Sequence, residues 1–179
     1  MYNSHERTIT TERLILRPFD ISDATRVSEF CNNYNIYKST LTLPYPYPIQ
    51  SALLWINTHE DNFRTDKSYE FAITDKSSCE LYGAIGLSNN QKHKNGEIGY
   101  WIGEDYWGNG YATEALGAII KFAFFEKGYH KVYGRYFVSN PASGKIMQKV
   151  GMTHEGVLIE HVLKEGRYED LVYYGILNK

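Results

Sequence analysis

Disulfide chemistry is the first thing this chain has too little material for. Its 179 residues hold two cysteines, Cys31 and Cys79. That is too few for a disulfide framework, and reduced thiols in a cytoplasm are the simplest expectation. Charge of one sign is also missing. The formal net charge of -2 gives no electrostatic case for nucleic acid or a membrane surface. No apolar run approaches the ~20 residues that a membrane-spanning helix needs, and the opening Met1–Arg7 is polar, without the apolar core of a signal peptide. His59 and Glu60 are adjacent but lack the His-Glu-x-x-His spacing, so no metal is expected. There is no internal repeat and no low-complexity linker. What remains is one domain, residues 1–179, long enough for a real core.

The informative stretch runs from Glu97 to Thr113. Ile98, Tyr100 and Ile102 alternate with Glu97, Gly99 and Trp101, the period of a strand. Ala112, Ala115, Leu116, Ile119, Ile120, Ala123 and Phe124 then recur at helical spacing. This predicts a helix from about Gly110 to a glycine stop at Gly128. Gly108 and Gly110 sit at the turn into it, where the absence of Cβ lets backbone N–H groups approach a ligand. The first N–H groups of a helix lack internal partners and carry the positive end of its dipole. A phosphate or pyrophosphate suits such a place. Gly110-Tyr111-Ala112 has neither the lysine nor the hydroxyl of a Walker A loop. Thr113, and the lack of an acid near Tyr133-Gly134-Arg135, argue against a dinucleotide fingerprint.

The rest reads in order. Thr11–Phe19 is a first strand ended by Pro18, with Arg13 and Arg17 on an exposed face. Asp20 or Ser22 caps a helix to about Asn32. Pro44, Pro46 and Pro48 favour an extended segment from which Tyr45 and Tyr47 project. Gln50 or Ser51 opens a helix to about Arg64, buried through Leu53, Leu54, Trp55 and Ile56. Tyr69–Thr74 and Leu81–Leu87 are strands joined by the turn formers Asp75–Ser78. A polar loop, Asn89–Gly96, holds a solvated His93. Lys131–Val138 is a strand that leads into a helix with Asn140 as N-cap and Pro141 at its first position, ended by Gly151. Thr153–Leu163 and Arg167–Leu177 form a hairpin around Lys164-Glu165-Gly166.

Trp107-Gly108-Asn109-Gly110-Tyr111-Ala112 resembles the Gln/Arg-x-x-Gly-x-Gly/Ala pyrophosphate loop of the GNAT superfamily of acetyl-CoA-dependent N-acetyltransferases, with Trp107 in place of Gln or Arg. Continued through Thr113-Glu114-Ala115, it is similar to the branch of the ribosomal-protein-alanine N-acetyltransferases RimJ and RimL. Asn140 to Ser143, with Gly151-Met152, resembles the second GNAT segment, Met152 standing for phenylalanine. The likeness spans nearly the whole chain. It implies an α/β (α+β) fold with a mixed, mostly antiparallel sheet of about seven strands flanked by about four helices.

The resemblance also implies acyl transfer from acetyl-CoA to a primary amine, with no metal. The acceptor would be a protein or peptide N-terminus such as a ribosomal protein's; amino acids, polyamines and antibiotics are the alternatives. A non-catalytic acetyl-CoA-binding module is a second class of reading, and monomer and homodimer are both open. Acetyl-CoA would lie on Tyr100, Trp101 and Ile102, on the loop from Trp107 through Gly108, Asn109, Gly110, Tyr111 and Ala112 to Thr113, and on Asn140. Its pantetheine would pair with the central strand as an added strand. Glu97 would be the general base, directly or through water. The tyrosine that many members use as acid is replaced by Met147, which leaves Ser143, as in the RimL-like branch, or water to protonate the thiolate. Tyr45 and Tyr47 would border the acceptor.

Overall fold

In the computed structural model, which describes residues 1–179, the strands are β1 (Tyr2–Asn3), β2 (Thr8–Thr10), β3 (Leu14–Arg17), β4 (Ser68–Asp75), β5 (Leu81–Ser88), β6 (Asn95–Ile102), β7 (Lys131–Phe137), β8 (Thr153–Lys164) and β9 (Arg167–Leu177). The helices are α1 (Ala24–Cys31), α2 (Tyr34–Ser39), α3 (Ile49–Asn57), α4 (His59–Arg64), α5 (Tyr111–Lys121) and α6 (Pro141–Lys149). The strands form one sheet in the order β1-β2-β3-β4-β5-β6-β7-β9-β8. All pairs are antiparallel except β6 with β7, which α5 joins as a crossover.

Strand alternation sends side chains to two cores. Phe71, Ile85 and Ile98 pack on the α5 and α6 side with Leu116 and Ile119. Ala72 packs on the other side, with Val27 of α1 and Ala52 and Ile56 of α3. Gly134 lets α6 approach β7, because a Cβ there would run into Ile98 and Met147. Met147 is thus a core residue, 2% exposed.

The parallel pairing of β6 and β7 stops at Ile98 opposite Gly134. Beyond it, Gly99–Ile102 still pair with β5 and Arg135–Phe137 with β9, but not with each other. The sheet therefore opens at its middle.

Several expectations are corrected. The sheet has nine strands, not seven, because Tyr2–Asn3 and Thr8–Thr10 add a short meander at one edge. The helices exceed four: α2 was not expected, and the helix expected up to Arg64 is broken at Thr58 into α3 and α4. Leu54 of α3 is exposed rather than buried. The helix expected up to Gly128 leaves α geometry at Lys121 and finishes as a π-turn, Phe122–Glu126. Arg13 and Arg17 are not free surface charges; Arg17 makes two hydrogen bonds to Asp23, at 2.7 and 2.9 Å.

His59 is buried between Trp55 and Phe19, with neither ring nitrogen bonded. Burial pushes its pKa down to about 4, against ~6.5 in the unfolded chain. The unfolded state thus binds a proton that the folded state refuses, and stability falls as pH drops from ~6.5 towards 4. Thermal midpoints measured across that window should fall, and His59→Phe should flatten the slope. An identical slope in the variant would place the acid sensitivity elsewhere.

Candidate active site

Gly108 and Gly110 carry φ of +79° and +82°, in the left-handed region that favours glycine. Gly110 is the N-cap of α5 and offers no side-chain cap. The first helical bond, Glu114 N–H to Gly110 C=O, is 3.0 Å. The amides of Tyr111, Ala112 and Thr113 therefore lie ahead of the helical ladder and face outward. Gly108 has open space where a Cβ would stand. The loop is held from behind: Trp107 Nε1 donates to Ile102 C=O at 2.7 Å, and Asn109 Nδ2 donates to the carbonyls of Tyr106 and Trp107.

Arg13 ties the loop to β3. Its Nη1 donates to Asn109 C=O at 3.0 Å and its Nε to Glu114 at 2.7 Å. Glu114 also accepts from Thr11 Oγ1 and from the Arg13 amide. Its negative charge near the helix start is thereby compensated, which keeps that end attractive to an anion.

A cavity of about 910 Å³ lies over this loop and over Tyr100, Trp101, Ile102 and Asn140. Lys145 and Lys149 of α6 and Lys164 of β8 rim it. A second cavity, about 570 Å³, lies on the α1 and α3 side of the sheet and includes Glu97, Arg135 and Tyr47. The two share Tyr100, Trp101, Ser143 and Ser39. They meet at the gap between β6 and β7.

At that junction Ser143 Oγ accepts a hydrogen bond from Asn140 Nδ2 at 3.0 Å. The expected capping bond is not made: Asn140 occupies the N-cap position, but its side chain turns to Ser143. Tyr100 Oη donates to Ser143 C=O at 3.2 Å, and burial pushes its pKa up to about 12. Gly144 packs directly on the Tyr136 ring, where a Cβ would collide. These contacts fix the first turn of α6.

Glu97 accepts from Arg135 Nε at 2.6 Å, with both side chains less than a third exposed. Arg135 also reaches Tyr173 Oη at 3.3 Å. The proline segment departs from expectation. Tyr47 does not project: it is 4% exposed, its N–H donates to Asn32 Oδ1, and its C=O accepts from Ser28 and Asn32. Tyr45 is exposed and stacks on Tyr37 at 5.0 Å. The Tyr45–Pro46 peptide is cis.

Sequence reasoning missed Arg135, Glu70, Ser39 and the α6 lysines. Lys145 and Lys149 carried a faint signal, since they are four apart in the helix after Asn140 and so share a face. Glu70 alternates with Tyr69 and Phe71 and reads as a solvent-facing position; only the helices on both faces make it interior.

A glycine turn at a helix start, a parallel strand pair that opens beyond Ile98 and a junction between cavities on the two faces of the sheet lie together at the middle of the molecule. The family model for an acetyltransferase (GNAT) domain matches residues 13–153, and the chain belongs to that family. It is 29% identical over 170 residues to an uncharacterized N-acetyltransferase, YoaA of Bacillus subtilis, covering 94% of this chain and 96% of that one. It is 26% identical over 172 residues to the [ribosomal protein uS5]-alanine N-acetyltransferase of Escherichia coli, covering 92% and 87%. Among solved structures, RimL, a ribosomal L7/L12 α-N-protein acetyltransferase in complex with coenzyme A, superposes with a TM-score of 0.87 at 19% identity, over 95% of this chain and 97% of that one. The chain is an acetyl-CoA-dependent N-acetyltransferase.

Proposed function

We propose that the chain transfers an acetyl group directly from acetyl-CoA to a primary amine, the α-amine of a protein or peptide, with a ribosomal protein N-terminus as the first candidate. The observation that carries this is the meeting of the two cavities at Tyr100, Trp101 and Ser143. A thioester entering over the glycine loop and an amine entering beside Glu97 would come together there without a covalent enzyme intermediate. The relation to the uS5-alanine enzyme supports the acceptor class.

In this reading the pyrophosphate takes the amides from Gly108 to Thr113, and the pantetheine amides pair with the free edge at Tyr100–Ile102. A backbone N–H of that edge also takes the developing oxyanion. Glu97, steadied by Arg135, removes a proton from the attacking nitrogen, directly or through water. Ser143, itself a hydrogen-bond acceptor from Asn140, is left with its O–H as a donor to the departing thiolate. The proline loop borders the acceptor cavity through Pro44 and Tyr47. Tyr45 would contact a longer acceptor from outside, and cytoplasm is the compartment that suits this chemistry.

The direct test is incubation with acetyl-CoA and synthetic peptides bearing free N-termini, read by mass spectrometry for a gain of about 42 daltons, one acetyl group. Acetylation of small amines from a parallel panel, with no acetylated peptide, would move the acceptor to small amines. Neither signal would return the chain to a binding role. Tyr45→Ala should raise KM for a peptide acceptor several-fold and leave KM for acetyl-CoA unchanged. Equal changes in both would make Tyr45 structural.

A further inference from the structure

We propose that Glu70 is the carboxylate that receives the acceptor's ammonium group and takes its first proton, and that the second cavity accepts amines carrying one positive charge and no carboxylate beside the nitrogen. This rests on acetyl transfer to an amine, as argued above.

The register sets the geometry. Glu70 of β4 lies opposite Gly86 of β5, and Gly86 lies opposite Gly99 of β6. All three face the α1 and α3 side, as does Arg135 of β7. The two glycines leave a bare floor: a Cβ on Gly99 would meet nothing within 4 Å, and Gly86 touches only the Glu70 Cγ and a backbone oxygen. Glu70 borders that floor on β4; Glu97 lies two strands across and two residues along β6 from Gly99, a Cα separation of roughly 12 Å, with Arg135 one strand further on β7.

Charge accounting separates the two carboxylates. Glu97 is paired with Arg135. Glu70 Oε1 accepts from Ser68 Oγ at 2.6 Å, while its Oε2 is buried without a partner. The other titratable groups on the walls are Glu97, Arg135, Tyr47, Tyr100 and Tyr136. Burial holds the Tyr47 and Tyr136 phenols neutral, like Tyr100. Lys67, outside the cavity, acts on Glu70 only through space. One carboxylate is thus left without a counter-charge, and a buried charge is costly unless paired. A single ammonium balances it. An amino-acid zwitterion would bring a second carboxylate beside Glu70, with Arg135 already engaged. Burial also raises the Glu70 pKa, as suits a group that must accept a proton.

The proton ledger then closes. The ammonium N–H breaks and the proton moves to Glu70 Oε2, leaving a neutral amine. The amine nitrogen forms the C–N bond and loses a second proton towards Glu97. The C–S bond breaks, and the thiolate is protonated through Ser143 or water. Overall the ammonium and acetyl-CoA give the amide, the thiol and one proton to solvent.

The test compares alanine amide with alanine, and phenethylamine with phenylalanine. The uncharged-neighbour member of each pair should have a kcat/KM at least ten-fold higher. Glu70→Gln, which keeps the shape, should lose roughly 10²–10⁴ in kcat/KM at pH 7. That loss should shrink as pH passes ~8, where an α-amine deprotonates unaided. The Glu97→Gln loss should not shrink in this way, because the second proton leaves only after attack. Gly99→Leu, filling the open floor, should raise KM for the amine alone. Equal rates for alanine and its amide, or a Glu70→Gln profile parallel to the parent's, overturn the assignment while acetylation itself stands. If no amine is acetylated, calorimetry of phenethylamine on the CoA-loaded protein decides. Binding at least ten-fold weaker in Glu70→Gln keeps the site and removes the transfer reading; equal or absent binding removes both.

Discussion

Gly110→Val is expected to abolish measurable coenzyme A binding in a protein that still folds. The residue sits at φ +82°, with Arg13 Nη2 3.5 Å from where its Cβ would be. A β-branched side chain in that region costs roughly 1–2 kcal/mol, a tolerable fraction of the ~5–15 kcal/mol that holds a domain together. The effect on the ligand is larger. The loop would relieve the strain by turning its amides, and the valine would occupy phosphate space. Each hydrogen bond to a charged group contributes about 1.5–3 kcal/mol, so losing two lowers affinity by roughly 10²–10⁴. Calorimetry with coenzyme A, alongside a thermal melt of the free protein, gives the answer. Parent-like affinity in a folded Gly110→Val would move the pyrophosphate off this loop.

The second large effect is expected from Glu97→Gln. Glutamine can still accept from Arg135 Nε, so the wall of the cavity should survive. Loss of the proton acceptor should cut kcat by roughly 10²–10⁴, the usual range for a general base, with KM for acetyl-CoA unchanged. Ser143→Ala should cost less, because a thiol with a reference pKa of ~8.5 leaves unaided at high pH. Its deficit should therefore fade above that pH. A Glu97→Gln protein with parent-like kcat would take Glu97 out of the chemistry and leave water as the acceptor.

Local signals in the chain were strong where backbone chemistry is strong. Gly108 and Gly110 announced the turn into α5, Pro141 the start of α6 and Gly166 the last hairpin. Alternation around Ile98 and Ile102 found β6. What could not be read were features made by register. Glu70 and Arg135 look like ordinary polar alternates until four strands align them across one face. Nor does the proline spacing reveal that Asn32, fifteen residues earlier, captures the Tyr47 backbone on both sides. The broken helix at Thr58 follows from a side-chain preference that composition does not display: Thr58 Oγ1 bonds the Trp55 carbonyl at 2.7 Å, competing with the helical ladder. Asn140 was placed correctly in the chain, yet its bond to Ser143 depends on how α6 seats against Tyr136.

The gap between β6 and β7 has a further meaning. A sheet normally satisfies its own amides, and a strand edge left open inside a protein would be a defect. Here the amides of a small molecule can serve as the missing rungs. In the proposed reading, the ladder interrupted between turnovers would be continued during one by something that is not polypeptide. On that proposal the middle of the sheet would be a socket whose last piece is delivered by diffusion and carried away as product.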